Sequence, residues 1–202
     1  MDKDLLEKIE EAARVIKKGG VCVIPTETAY GLAASIQNER ALKKIYEIKK
    51  RPFHKPLLIL VDELSQAPVE KGRIPNYVFK IIDKFWPGPL TLLLPATKDA
   101  SPFLTGGSQK VGLRISSHPV AKELVRRVGQ PVTATSANLS GMGLSKTVAQ
   151  VKEQLSHLEP DYYLNAGEIP PGPSSTIVDC QDSGPVIVRP GAIDPEDILA
   201  LC

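Results

Sequence analysis

The stretch Val21-Cys-Val-Ile-Pro25 constrains this chain most strongly. Its apolar, largely β-branched residues have the length and shape of a buried strand, and Pro25 ends the strand because proline cannot donate to a ladder. The next residues, Thr26-Glu-Thr-Ala-Tyr-Gly31, place hydroxyls, a carboxylate and a phenol at the strand's end before glycine permits a turn. Pro131-Val-Thr-Ala-Thr135 likewise runs as a strand into Ser136-Ala-Asn138. Ser174-Ser-Thr-Ile-Val-Asp179 enters a strand through hydroxyls. Ligands of open α/β sheets gather at such strand ends.

The segments between these strands carry helical patterns. From Asp4, read as an N-cap, the apolar positions Leu5, Leu6, Ile9, Ala12, Ala13 and Ile16 keep helical spacing until Gly19-Gly20. Asn38 caps a second helix through Ala41, Leu42, Ile45 and Ile48, and Lys49, Lys50 and Arg51 fill its last turn before Pro52 stops it. Further helices are expected over Tyr77 to Trp86, Val120 to Val128 and Val148 to Leu155, the last capped by Thr147. A short one starts at Pro195, capped by Asp194. Strands are expected at Leu57 to Val61, Leu90 to Pro95 and Val111 to Ile115. A hairpin joins Val178 to Val186 through Gln181-Asp-Ser-Gly184. Eighteen prolines and fifteen glycines favour many short elements over a few long ones. Helix and strand alternate, so the expected fold is α/β: a single domain over residues 1–202, with a twisted open mixed sheet and flanking helices.

A formal net charge of +2 argues against a generic polyanion binder, while local cation clusters can still attract phosphate. Three cysteines, Cys22, Cys180 and Cys202, lie far apart without zinc spacing and fit a reducing compartment. With no signal h-region and no membrane-length apolar run, the expectation is a cytoplasmic protein that does not contact a membrane. The usual phosphate-loop, dinucleotide, zinc-deaminase and nucleophile-elbow motifs are missing. His54, His118 and His157 show no metal spacing and read as structural or solvated.

What remains is the repeated hydroxyl and amide strand end combined with Lys49, Arg51, Lys55, Arg114 and Arg189. If these segments converge, they form one polar, cationic cleft suited to a phosphorylated ligand. Taken alone, each has an ordinary explanation: cations complement a helix C-terminus, strand-end serines make turns, and Arg114 between Leu113 and Ile115 faces solvent.

Seven motifs in order are more specific. They are Pro25-Thr-Glu-Thr-Ala-Tyr-Gly-Leu32, Lys49-Lys-Arg51 with Lys55-Pro56 beyond, Trp86-Pro-Gly-Pro-Leu-Thr91, Val111-Gly-Leu-Arg114, Ser136-Ala-Asn138, Ser175-Thr176 and Arg189-Pro-Gly191. Together they span nearly the whole chain, which resembles the YrdC/TsaC family of threonylcarbamoyl-AMP synthases. The resemblance implies a YrdC-like fold with a concave, positively charged cleft. It also implies an enzyme that joins L-threonine, bicarbonate and ATP into threonylcarbamoyl-AMP and pyrophosphate, for t6A modification of tRNAs reading codons that begin with A. This is a nucleotidyl transfer whose nucleophile belongs to the substrate.

Carried over by the resemblance, Lys49 and Arg51 are the catalytic cations. Arg51, Lys55, Ser136, Asn138, Ser145 and Arg189 hold ATP, and Thr28, Arg114, Ala134 and Ser175 hold threonine. Magnesium is expected to arrive on the ATP phosphates, with no protein metal site. The implied partners are a tRNA or double-stranded RNA and the downstream t6A transferase machinery.

The chain departs from the family pattern in three places. Leu60 stands where some members carry a histidine. Gly143-Leu144-Ser145 replaces a proline-serine step, leaving Leu144 and Ser145 as alternative nucleotide contacts. The chain reads as a short form that lacks a further domain. A double-stranded RNA-binding module and a HypF-like carbamoyl-transfer domain are the rival readings.

Overall fold

The computed structural model describes all 202 residues. Helix α1 (Lys3–Lys17) is capped by Asp2, whose Oδ1 accepts the Leu5 N–H at 2.8 Å. The expected cap, Asp4, is instead an acidic residue of the first turn. Strands β1 (Cys22–Pro25) and β2 (Tyr30–Ala33) pair antiparallel from Cys22 opposite Ala33 to Pro25 opposite Tyr30. Thr26 N and Oγ1 both donate to the Ala29 carbonyl, so the turn is closed by its own hydroxyl. Helix α2 (Glu39–Lys49) starts at Asn38, whose side chain accepts the Ala41 N–H, and ends on Lys50 in a left-handed conformation, φ 47°.

The remaining strands are β3 (Ile59–Leu60), β4 (Leu90–Pro95), β5 (Lys110–Arg114), β6 (Val132–Thr133), β7 (Thr135–Ser136), β8 (Tyr162–Tyr163), β9 (Thr176–Gln181) and β10 (Gly184–Arg189). Helices α3 (Asn76–Phe85), α4 (Pro102–Thr105), α5 (Pro119–Val128), α6 (Val148–Gln154) and α7 (Pro195–Leu199) lie between or after them.

The single sheet expected from sequence is two mixed sheets, ordered β7-β2-β1-β8 and β10-β9-β4-β5-β3-β6. The stretch expected as one strand, Pro131 to Thr135, belongs to both. Its first half pairs with β3 and its second half with β2, and the change falls at Ala134. The Thr133 hydroxyl joins the sheets there, accepting from Ala34 N and donating to the Leu32 carbonyl, each at 2.9 Å.

Strand β1 is buried on both faces, which explains its unbroken apolar run. Cys22 and Ile24 pack on α1 and α5, while Val21 and Val23 join the larger core with α2. In the six-stranded sheet, Leu90, Leu92, Leu94, Val111, Leu113, Val178 and Cys180 point into that core. By the two-residue period, Thr91, Leu93, Lys110, Gly112, Arg114, Ser175 and Ile177 take the opposite face.

Candidate active site

That opposite face is the floor of a cavity of about 330 Å³. The β1–β2 turn supplies Thr26 and Thr28, the β6–β7 segment supplies Ala134 to Ser136, and β10 supplies Val188 and Arg189. Arg51, Lys110, Arg114 and Arg189 all line it, and no aspartate or glutamate does. The three arginines expected to meet therefore do so, along with Thr28, Ala134, Ser136 and Ser175.

Arg114 is 2% exposed, contrary to the solvent-facing position its strand pattern suggests in isolation. Its Nη1 donates to Thr28 Oγ1 at 3.3 Å and lies 3.1 Å from Glu27 Oε1. Glu27 Oε1 lacks hydrogen-bond geometry, so that contact is Coulombic; Oε2 accepts from the Ser116 hydroxyl. Nε is buried without a partner, and Nη2 makes no hydrogen bond within the protein. Thr28 and Glu27 thus hold one edge of the guanidinium, while the Nε/Nη2 edge can form the fork that matches a carboxylate. Burial and, more weakly, Arg189 lower the pKa of Arg114, and Glu27 opposes them. An arginine stays charged through such a shift.

Arg189 grips the strand beside it. Its Nη2 donates to the Ser175 carbonyl at 2.7 Å and to Ser175 Oγ at 3.2 Å, and that hydroxyl shares a 2.9 Å hydrogen bond with Thr91. Gly191 makes the approach possible, because a Cβ there would lie 2.3 Å from the Ser174 carbonyl oxygen.

The basic loop after α2 is arranged differently from expectation. Arg51 lines the cavity, with Nε and Nη2 donating to the carbonyls of Lys55 and Pro56 at 3.2 and 3.0 Å. Lys55 is exposed and does not line it. Lys49 is 1% exposed and turned inward, and its ammonium donates to the carbonyls of Ser136 and Asn138 and to Asn138 Oδ1. Lys49, expected as a catalytic cation, does not line the cavity; it clamps the Ser136-to-Asn138 turn from behind. Burial first, and Arg51 second, depress its pKa to about 7.

Asn138 is buried behind the wall, where its amide donates to the Met142 carbonyl at 2.5 Å. Ser145 is also fully buried and spends its carbonyl on Tyr30 N. Leu144, not Ser145, lines the cavity. Sequence reasoning missed Thr91, Gly112 and Lys110 as floor residues. Their signal was the two-residue period shared with Ser175 and Arg114 on neighbouring strands.

A family model described as telomere recombination, Sua5_yciO_yrdC, matches residues 14–191. The chain is 39% identical over 195 residues to the threonylcarbamoyl-AMP synthase of Bacillus subtilis, covering 96% of this chain and 56% of that protein. A relative of the same name from Pyrococcus abyssi is 37% identical, with 95% and 56% covered. The chain thus spans about half the length of these curated relatives. A putative threonylcarbamoyl-AMP synthase from Methanocaldococcus jannaschii is 36% identical over 196 residues, with 96% and 90% covered.

Among solved structures, P. abyssi Sua5 complexed with L-threonine superposes with a TM-score of 0.89 at 34% identity, covering 96% of this chain and 56% of that one. E. coli YciO superposes with a TM-score of 0.79 at 27% identity, covering 95% and 92%. HypF structures at 18% and 19% identity share the fold. With the motifs, the two-sheet architecture and these matches in agreement, the chain belongs to the Sua5/YciO/YrdC family.

Proposed function

We propose that this chain forms threonylcarbamoyl-AMP from L-threonine, bicarbonate or CO₂, and ATP. The observation that carries this reading is the convergence of Arg51, Arg114 and Arg189 on one cavity that also holds a free guanidinium edge. Two curated relatives carry that activity as their name, and a structural relative is described with L-threonine bound.

In this reading the threonine carboxylate takes the Nε/Nη2 edge of Arg114, with Thr28 and Ser175 beside it. The threonine amine, after losing a proton, attacks the carbon of CO₂ or bicarbonate. A C–N bond forms to give a carbamate; the nitrogen's further proton is released to solvent in the CO₂ route and leaves as water with the bicarbonate hydroxyl in the other. A carbamate oxygen then attacks the α-phosphorus of ATP in line. The bond to the α,β-bridging oxygen breaks, its electron pair leaves with that oxygen, and pyrophosphate departs.

No side chain has to become a nucleophile. The protein holds anions together in a cavity whose floor mixes apolar, hydroxyl and cationic side chains, and balances their charge with fixed cations. Arg51 and Arg189 contact the nucleotide phosphates, Ser136 and Leu144 line its side, and Lys49 holds the Ser136 turn in shape. The side chains lining the cavity offer hydroxyls and cations but no carboxylate, so magnesium enters on the triphosphate with its own waters. The product is a labile mixed anhydride for a downstream transferase acting on tRNA.

The test is pyrophosphate release by the purified chain. Release should require ATP, L-threonine and bicarbonate together. Release without threonine dependence would contradict the reading, and substitution by carbamoyl phosphate would favour carbamoyl transfer. Retained RNA binding without any release would favour an RNA-binding module.

A further inference from the structure

Lys110 is a cavity cation that the reaction described above leaves without a role. It opens β5, four residues before Arg114, on the same face of the strand. At a rise of ~3.4 Å per residue, the two side chains leave the floor about 13 Å apart. Gly112 stands between them and leaves the floor low, because a Cβ there would already meet Leu93 Cδ2 at 3.0 Å.

Lys110 also lies at the Arg51 end of the cavity. Strands β3 and β5 run parallel with Ile59 opposite Leu113, and the same register carried back places Pro56 beside Lys110. Arg51 Nη2 donates to the Pro56 carbonyl. The loops behind the two residues pack backbone to backbone, since a Cβ on Gly106 would lie 2.6 Å from the His54 carbonyl oxygen. Ser108, another lining residue, donates to the carbonyls of Thr105 and Lys110.

The Lys110 ammonium is only partly satisfied within the protein. It pairs with Asp179, which is steadied by Gln181 Nε2 at 2.9 Å. The lysine side chain keeps 30% of its exposure against 17% for the carboxylate. An ammonium has three donors, so a single carboxylate contact leaves donors for the cavity. In-line displacement puts the nucleophile and leaving group on opposite sides of the α-phosphorus. With the amino acid anchored at Arg114, the leaving group departs along the floor, away from Arg114.

We propose that Lys110, whose ammonium Asp179 competes for, binds the departing pyrophosphate and, before reaction, the β- and γ-phosphates of the nucleotide. This rests on the functional reading above, and its test separates the two. Inorganic pyrophosphate, as its magnesium salt, is titrated calorimetrically into wild type, Lys110→Met, Lys110→Arg and Asp179→Asn, with L-threonine titrated into each as a control at the far end.

Lys110→Met should weaken pyrophosphate binding about 10-fold or more and leave threonine binding unchanged. Lys110→Arg should recover most of the loss. Asp179→Asn should bind pyrophosphate at least as well as wild type, because a carboxylate beside the phosphates is neutralised. Unchanged pyrophosphate affinity in Lys110→Met would overturn the assignment. Weaker pyrophosphate binding by folded Asp179→Asn would do the same, and keeps the idea testable if the methionine variant fails to fold. A wild-type protein that binds no pyrophosphate yet shows threonine-dependent turnover of ATP would sink the lysine assignment alone. Pyrophosphate binding lost in Lys110→Met, with no threonine-dependent turnover in wild type, would sink the functional reading alone.

Discussion

Arg114 and Lys49 show how far a cation's role depends on which way a backbone face turns. Arg114 has one guanidinium edge held by Thr28 and Glu27 and the other free. Arg114→Ala removes a charge-assisted pair, so threonine affinity should fall by roughly 10- to 150-fold, equivalent to about 1.5–3 kcal/mol, while ATP affinity changes little. Arg114→Lys keeps the charge but loses the fork and should fall between the two. Calorimetric titration of both substrates checks this, and lost ATP affinity with intact threonine binding would reverse the two ends of the cavity.

Lys49 can be tested through pH. Burial depresses its folded pKa to about 7, while the unfolded chain keeps the ordinary value near 10.5. Between those values the unfolded chain binds the extra proton, so this residue makes stability rise with pH through that window. Below about pH 7 the penalty for burying the charge is present in full. Wild type should therefore gain stability relative to Lys49→Met between pH 7 and 9 in urea titrations, by at most about 1.4 kcal/mol per pH unit. A flat difference would mean that the three oxygens around the ammonium, which together use all its protons, hold it charged throughout.

Among the elements, β5 supplies two of the four cations that line the cavity, Lys110 and Arg114. Its inward residues Val111 and Leu113 belong to the core, and its outward residues Lys110, Gly112 and Arg114 form the cavity floor. Gly112→Val keeps strand propensity and adds bulk between the two ends of the floor. It should lower kcat/KM by about 100-fold or more through misplacement of the reacting groups, with little change in melting temperature. Steady-state kinetics beside a thermal melt measures both. A variant with normal turnover would show that the substrates do not pass over this strand.

Local rules predicted much of this. The β1 run and its turn, the caps at Asn38, Thr147 and Asp194, and the β9–β10 hairpin all depend on neighbours in the chain. Division into two sheets at Ala134 depends on pairing with β2 and β3, segments far away in sequence, and no local pattern marks it. The inward turn of Lys49 did leave a trace. It falls four residues after Ile45 and seven after Leu42, on the apolar stripe of α2, where a cation seldom sits unless oxygen partners meet it.

In the molecule as a whole, the cavity exists because two sheets lean together. The β1–β2 turn and the β6–β7 segment wall a space floored by β4, β5, β9 and β10. Motif order could place those segments in one family, but not determine which side chains reach the space. Asn138 and Ser145 support its wall, while Ser136 and Leu144 form it.

A crystal structure of this chain with L-threonine and a nonhydrolysable ATP analogue tests the central claim most directly. The expected result is the threonine carboxylate on the Nε/Nη2 edge of Arg114, with the triphosphate running past Arg51. Threonine bound away from Arg114, or a triphosphate outside this cavity, would contradict the account.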